Sequence, residues 1–307
     1  MRLFNGFYEG APDLVLDLYA RTLVIHDYSN PPHIPASSLD LILETVSSKL
    51  TWIQAAILKP RRAGTEQERR GRLVLGQNPD RRVQENGVDY AIDVMLSQDT
   101  GLYLDTRNVR TWAKNNLGGK TALNTFAYTG SYGVAAMAGS ARQVVHLDLS
   151  RRYLDLAKVS YSLNGFQTHK KDFLVGDFFI WVSRLKRLGA HFDCVFLDPP
   201  YFSQSRKGTI DMLRHSDRLV NKTRPLIADG GYLALINNAV FLSGKEYLQA
   251  LENLCADGYL ALEALIPVPD DITGYAHTRL SAPPVDPAPF NHPTKIAILR
   301  IRRKNPG

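Results

Sequence analysis

The 307-residue sequence predicts an α/β fold, a Rossmann-like seven-stranded sheet with helices on both faces, preceded by a small N-terminal α+β domain. Three observations predict it. From residue 120 onward, short apolar runs alternate with stretches of helical period. The residues with chemical character cluster at the ends of those runs, where open α/β sheets bind ligands. Residues 1–98 lack this alternation and read instead as a hairpin, a helix and further strands.

In the N-terminal domain (1–98), Leu14–Tyr19 and Thr22–Tyr28 form the expected hairpin around Ala20-Arg21. A helix follows over Ser38–Leu50, then strands at Trp52–Lys59, Arg72–Gly76 and Tyr90–Leu96. Residues 99–119 are expected to link the domains, with a helix from about Asp105 to Leu117. The sheet domain (120–307) has strands at Thr121–Phe126, Gln143–Asp148, His169–Val175, Phe192–Asp198, Gly231–Asn237, Ala261–Val268 and Lys295–Ile301. Helices fall at 131–139, 151–163, 178–188, about 209–224 and 244–256. Such alternation implies a parallel sheet. No helix separates the last two strands, so they are expected to pair as an antiparallel edge. Their Pro-rich connection is long enough to suggest a functional loop.

Composition narrows the function classes. The net charge of +7 suits a polyanionic partner such as nucleic acid, with a merely soluble basic surface as the plain alternative. The two cysteines, Cys194 and Cys255, give no disulfide framework. The eight histidines show no ligand spacing and no paired cysteine motif occurs, so no metal is expected. There is no apolar run of 18 residues and no signal-like start, so a cytoplasmic enzyme with no membrane span is expected.

The first strand runs into Phe126, Ala127, Tyr128, Thr129 and Gly130. Gly130 allows a tight turn and close approach of a ligand to the backbone. The helix that follows offers N–H groups and positive potential to a carboxylate. The second strand ends in Asp148, placed to accept hydrogen bonds from a ribose diol, or to cap the next helix. Leu149 and Ser150 follow it, Ser150 as a helix N-cap. Leu154, Ala157 and Tyr161 recur at helical spacing, and Asn164-Gly165 is the stop, with Asn164 also counted among the cofactor-side residues. At the third strand end, Asp177 can accept an adenine amino hydrogen and Phe178 can cover the ring; a plain N-cap is the alternative for Asp177.

Those three ends serve NAD as well as S-adenosylmethionine. The fourth decides between them: Asp198, Pro199, Pro200, Tyr201 and Phe202. Two prolines stiffen the turn and remove N–H competitors for its carbonyls. A rigid, acceptor-lined turn beside an aromatic ring suits an exocyclic amine presented to a methyl group, and hydride transfer needs no such device.

The segments NTFAYTGSYG, HLDLS, VGDFF and FLDPPYF resemble a class I S-adenosylmethionine-dependent methyltransferase. More narrowly, the chain resembles the bacterial 23S ribosomal RNA large-subunit methyltransferases of the K and I kind. Its segment Thr100–Arg107 is similar to that family's TG-Y-LDQR. The resemblance covers residues 98–305 well and 1–97 less well. It implies that Tyr103 and Arg107 reach the cofactor, with the guanidinium available to its carboxylate. It also implies that the N-terminal domain faces RNA.

The modified atom is read from cysteine. Cytosine C5 methylation needs a cysteine nucleophile, and in cytosine-methylating relatives one follows the fifth strand. Here that place holds Ile236-Asn237-Asn238, which is similar to the guanine-methylating K kind. Cys194 and Cys255 read as structural. A base nitrogen, guanine favoured, is therefore the expected target. Cytosine C5, a protein or a small molecule are the alternatives, and a non-catalytic RNA-binding module is a further one. The RNA surface is expected around Lys59, Arg61, Arg62, Arg69, Arg70, Arg72, Arg81 and Arg82, against a solvated loop partly neutralised by Glu66 and Glu68. Arg300, Arg302, Arg303 and Lys304 are a second basic group.

Overall fold

Alternating apolar strands and amphipathic helices assemble into two units: Met1–Leu104 with Pro269–Ala282, and Asp105–Val268 with Pro283–Gly307. The structure, a computed structural model, describes the chain except residues 33, 206–207, 212–215 and 304–307; for 202–205, 208–211 and 216 it describes the backbone alone. Lys304 thus lies outside the described residues. The first unit takes in 269–282, part of the Pro-rich connection that the sequence reading left with the sheet domain.

The first unit is built on a five-stranded sheet of β1 (Arg2–Asn5), β2 (Leu14–Tyr19), β3 (Thr22–Asp27), β4 (Ala55–Pro60) and β5 (Arg72–Leu75), in that order. The expected hairpin pairs Leu14–Tyr19 with Thr22–Asp27, and Ala20 takes the left-handed conformation its turn needs. Strands β3 and β4 are parallel, so the chain must cross over. That crossover carries α2 (Ala36–Lys49), which follows the short α1 (Gly6–Glu9). Val46 of α2 packs with Leu18, Leu23, Ile25, Ala56 and Leu58. A short α3 (Glu66–Arg69) precedes β5, and a separate hairpin joins β6 (Arg82–Glu85) to β7 (Val88–Ala91). The expected strand Tyr90–Leu96 is thereby corrected to Val88–Ala91, with Ile92 bonded back to the Arg81 carbonyl.

The second unit opens with α4 (Arg107–Asn116) and contains the seven-stranded sheet. Its strands are β8 (Thr121–Thr125), β9 (Gln143–Asp148), β10 (Phe173–Val175), β11 (Phe192–Leu197), β14 (Ile227–Asn237), β15 (Leu260–Leu265) and β16 (Lys295–Ile301). A two-stranded ribbon, β12 (Phe202–Ser205) with β13 (Gly208–Asp211), lies between β11 and β14 in the chain. The sheet order is β10-β9-β8-β11-β14-β16-β15. The order reverses at β8, which places the ligand-binding switch point between β8 and β11. All neighbours from β10 to β14 are parallel, and β16 runs antiparallel to both β14 and β15. The last two strands do pair antiparallel as expected, but β16 is inserted and β15 forms the edge.

Helices α5 (Ser131–Ala138), α6 (Arg151–Leu163), α7 (Phe178–Arg187), α8 (Ser216–Thr223) and α9 (Gly244–Cys255) complete the unit. In α7, Phe178, Val182 and Leu185 recur on one face and join Leu123, Val145, Leu147, Val195 and Leu197 of the sheet in one core. Each such side chain contributes roughly 1.5–3 kcal/mol of burial. Two expectations are corrected. The helix at 209–224 is the ribbon strand β13 followed by the shorter α8. The strand His169–Val175 is a 3-10 turn at Lys170–Asp172 and only three strand residues, because that polar turn offers the sheet no apolar alternation. Among the described residues no helix is long and apolar enough to cross a membrane.

Candidate functional site

The loops leaving β8, β9 and β10 are tied together by backbone bonds at the carboxyl ends of the strands. Ala127 N donates to the Leu147 carbonyl at 2.9 Å, and Gly176 N to the Asp148 carbonyl at 2.9 Å. Between β8 and α5 the chain curls through three left-handed residues, Phe126 (φ 52°), Tyr128 (φ 50°) and Gly130 (φ 76°). For the two aromatic residues this is a costly conformation, of the kind that collects at functional sites. Gly130 cannot be replaced freely: a Cβ there would lie 2.7 Å from Ala157 Cβ and 3.0 Å from His146 Cε1. The curl ends at the N-terminus of α5, whose first-turn N–H groups suit a carboxylate.

Asp148 anchors this curl. Its Oδ2 accepts from Tyr128 N at 2.8 Å and its Oδ1 from Ser150 N at 2.8 Å. Burial raises its pKa, while these two backbone donors lower it. Each carboxylate oxygen has a second lone pair, so the group retains capacity for two hydroxyl donors, the pattern of a ribose diol. Leu149 beside it is 76% exposed, an apolar side chain held open next to that carboxylate. Ser150 occupies the N-cap position of α6 with no side-chain cap bond.

At the third strand end, Asp177 Oδ1 accepts from Phe179 N at 2.9 Å and Ile180 N at 3.2 Å, so the residue caps α7. Phe178 is buried and stacks on Phe126, with centroids 4.6 Å apart and planes at 27°. It therefore belongs to the core that backs the loop rather than standing open as a cover for a ring. Asn164 is not brought to this constellation. It closes α6, donating Nδ2 to the Ser160 carbonyl at 2.7 Å, thirteen helical residues from Ser150. That is ~20 Å along the axis, at the end away from Asp148.

The fourth strand end holds Asp198. Its Oδ2 accepts from the Tyr132 hydroxyl at 2.6 Å. Burial raises its pKa to about 7, the Tyr132 bond opposes that rise, and the nearby Asp105 carboxylate adds to it. Pro199 is buried, and Pro200 and Tyr201 are exposed; the side chain of Phe202 lies outside the described residues. At the fifth strand end, Asn237 is fully buried and its Oδ1 accepts from Ala239 N at 2.9 Å. Asn238 Oδ1 is buried without a partner among the described residues. Cys194 is fully buried in β11, and burial pushes its thiol well above the ordinary range. Cys255 is half-buried and also shifted upward. Neither is prepared as a thiolate nucleophile.

Tyr103 belongs to the first unit, 44% exposed, its hydroxyl donating to Asp99 Oδ2 at 2.8 Å. Arg107 belongs to the second and opens α4, half-buried. Sequence reasoning missed Arg110, Tyr132 and Lys295, all buried. Lys295 donates to the carbonyls of Ala239 (2.9 Å) and Pro293 (2.7 Å), which holds the turn after β14. Arg110 carried a readable signal: it interrupts the helical stripe Thr106, Ala113 and Leu117.

The expected basic surface is partly overturned. Lys59 is fully buried, donating to the carbonyls of Ser97 and Gln98. Arg61 is largely buried, pairs with Asp99 at 3.1 Å and lies over the Tyr28 ring. Arg70 pairs with Glu66 and Arg82 with Asp89, each at 2.7 Å, and Arg69 reaches the Thr65 carbonyl. Arg62, Arg72 and Arg81 are exposed. Among the described residues no cluster of three or more acidic, histidine or cysteine side chains is arranged to hold a metal.

The family model for S-adenosylmethionine-dependent methyltransferases matches residues 73–258. The chain belongs to that family. S-adenosylmethionine is the family's cofactor, and the residues at the strand ends fit it: a curl opening a helix N-terminus, a half-buried carboxylate with spare acceptor capacity, and an acceptor-lined turn. The methyltransferase chain is 32% identical over 235 residues to ribosomal RNA large subunit methyltransferase I of Aeromonas hydrophila, covering 76% of this chain and 59% of the relative. It thus spans little more than half of that relative's length. It is 38% identical over 160 residues to ribosomal RNA large subunit methyltransferase K/L of a Psychrobacter species, covering 51% of this chain and 20% of that protein. The fold is shared with SMU.776, solved in complex with SAH, at a TM-score of 0.80 and 21% identity over 98% of this chain and 74% of that one.

Proposed function

We propose that this methyltransferase transfers the methyl group of S-adenosylmethionine to a base nitrogen, with guanine favoured, in large-subunit ribosomal RNA. The observation that carries the reading is Asp198, a half-buried carboxyl fixed at the start of a rigid Pro-Pro turn, with no activated cysteine beside it. A carboxylate there accepts a hydrogen of an exocyclic amine and points its lone pair at the methyl group. Pro199 and Pro200 leave backbone carbonyls as further acceptors, and Tyr201 supplies stacking surface for the base. Cytosine C5 chemistry would need a thiolate that Cys194, sealed in β11, cannot provide.

In this reading Asp148 receives the ribose hydroxyls, and Leu149 lies against the adenine. The Phe126–Gly130 curl and the α5 N-terminus receive the carboxylate end, with Arg107 contributing from the first turn of α4. Asp177 combines its capping role with the adenine amine, and Phe178 supports Phe126 from behind. The first unit faces RNA through Arg62, Arg72 and Arg81, three of its exposed arginines. Both relatives described above are named as ribosomal RNA methyltransferases, which supports the substrate class. Catalysis is then mainly in-line positioning of an unpaired or flipped base in a desolvated pocket.

The test is transfer of labelled methyl to ribosomal RNA from a strain lacking the gene, with the modified nucleoside identified by mass. N-methylated guanine in large-subunit RNA is expected. Label only in protein or metabolites overturns the substrate, and 5-methylcytosine overturns the atom.

A further inference from the structure

Three buried side chains of the second unit form one hydrogen-bond chain that ends on Asp198. Arg110 Nη1 donates to Thr106 Oγ1 at 3.1 Å. Thr106 bonds the Tyr132 hydroxyl, and that hydroxyl donates to Asp198 Oδ2 at 2.6 Å. The phenolic hydrogen is committed to Asp198, so Tyr132 acts as acceptor toward Thr106 and all three bonds run in one direction. Arg110, Thr106 and Tyr132 are 1%, 3% and 5% exposed, which shields the chain from water. The Tyr132 ring stacks on Phe196, centroids 5.2 Å apart and planes at 21°, which fixes where the hydroxyl sits. A guanidinium at one end polarises each hydroxyl toward the next, and such cooperativity strengthens in a low-dielectric interior. Short O–H···O⁻ contacts are the strong, charge-assisted kind.

We propose that Tyr132, polarised through Thr106 and Arg110, is a positioning residue for methyl transfer: by holding Oδ2 it fixes the carboxyl group and keeps Asp198 a proton acceptor toward the substrate amine through Oδ1. The inference rests on the nitrogen-transfer reading above. In the step it serves, the amine lone pair forms the new N–C bond. The C–S bond breaks with its electron pair left on sulfur, and the surplus proton on nitrogen passes to the Asp198 carboxylate. A protonated Asp198 cannot accept it. Two influences from the surrounding elements favour that protonated form, burial and the Asp105 carboxylate ahead of α4; the Tyr132 bond from α5 opposes them. The balance is set close to neutrality, where one hydrogen bond decides which form prevails.

The experiment is an infrared titration of cofactor-free protein carrying carbon-13 aspartate, with the Asp198 band identified by its loss in Asp198→Asn. Tyr132→Phe keeps the stacked ring and removes the donor. Its Asp198 titration should move up by about one pH unit, the size expected when a charge-assisted hydrogen bond is lost. The acid limb of kcat should move up with it, while KM for S-adenosylmethionine stays as in the parent. Thr106→Val should move both in the same direction by less, and it carries the test alone if Tyr132→Phe does not fold. An unmoved titration, or a kcat loss equal at every pH, overturns the proposal. If the parent protein methylates no RNA nitrogen, the functional reading fails separately, because the infrared titration needs neither substrate nor cofactor.

Discussion

Gly133→Ala probes the packing that sets α5, and with it the cofactor curl, against β9. A Cβ at this position would lie 2.3 Å from His146 Cε1 and 2.7 Å from Val144 Cγ1. Neither neighbour has room to yield. His146 is bonded to the Tyr161 hydroxyl at 3.0 Å and stacked on Phe173 with centroids 5.1 Å apart. Val144 lies inside β9. Forcing a methyl group into a packed core costs ~1–3 kcal/mol, and alanine's helix preference offsets about 1 kcal/mol of that. With the 2.3 Å contact placing the cost at the upper end of that range, a net loss of ~2 kcal/mol is expected, which lowers Tm by roughly 4–8 °C in a unit of this size. Because Gly130 immediately precedes α5, the displaced helix should also weaken binding of the demethylated cofactor. Calorimetric unfolding and binding titrations measure the two effects. In a His146→Ala background the same substitution should cost less, because the ring it meets is gone. Parent-like stability and affinity for Gly133→Ala, or an equal cost in both backgrounds, would refute the argument.

Asp177→Ala should cost ~1 kcal/mol through loss of the α7 cap, whereas Asp177→Ser retains the cap; if Asp177 also holds the adenine amine, both lose cofactor affinity in calorimetry and only the alanine loses stability. Burial holds His146 neutral down to about pH 3. The unfolded chain binds that proton near pH 6.5, so the folded state loses stability as pH falls from about 6.5 toward 3, by ~4 kcal/mol over the whole window. Urea unfolding of His146→Gln should accordingly show a shallower decline between pH 6.5 and 4.5 than the parent, and parallel declines would contradict the assignment. Arg62→Ala and Arg81→Ala should each weaken RNA binding and reduce the slope of log affinity against log salt by about one. Arg61→Ala should instead lower Tm, because it leaves Asp99 without its guanidinium; the reverse pattern would place the RNA elsewhere.

Much of the fold was legible because local signals agreed with tertiary need. Gln143–Asp148 and Lys295–Ile301 have the strand bounds read from the sequence, each an apolar run with a sharp polar stop. The antiparallel pairing of the last two strands followed from the missing helix between them. Their spatial order did not, because strand insertion is decided by long-range packing. The hairpin after Asp198 was missed since Gly208–Asp211 reads equally well as the start of an amphipathic helix. At the site, carboxylates at strand ends were visible, and so was the glycine at the curl. Arg110 was marked by its place on the buried stripe of α4, but its role was not legible until its partners Thr106 and Tyr132 were placed. Lys59 misled in the opposite direction: beside Arg61 and Arg62 it looked like one more surface charge, yet it closes an apolar strand and is satisfied by two carbonyls.

The central claim is that the ends of β8, β9, β10 and β11 form one S-adenosylmethionine site. Isothermal calorimetry with S-adenosylmethionine and its demethylated product tests it most directly, on the parent protein, Asp148→Ala and Asp198→Ala. One molecule should bind per chain, with affinity lost in Asp148→Ala and retained in Asp198→Ala, whose defect lies in transfer. No binding to the parent protein, or parent-like binding by Asp148→Ala, would contradict it.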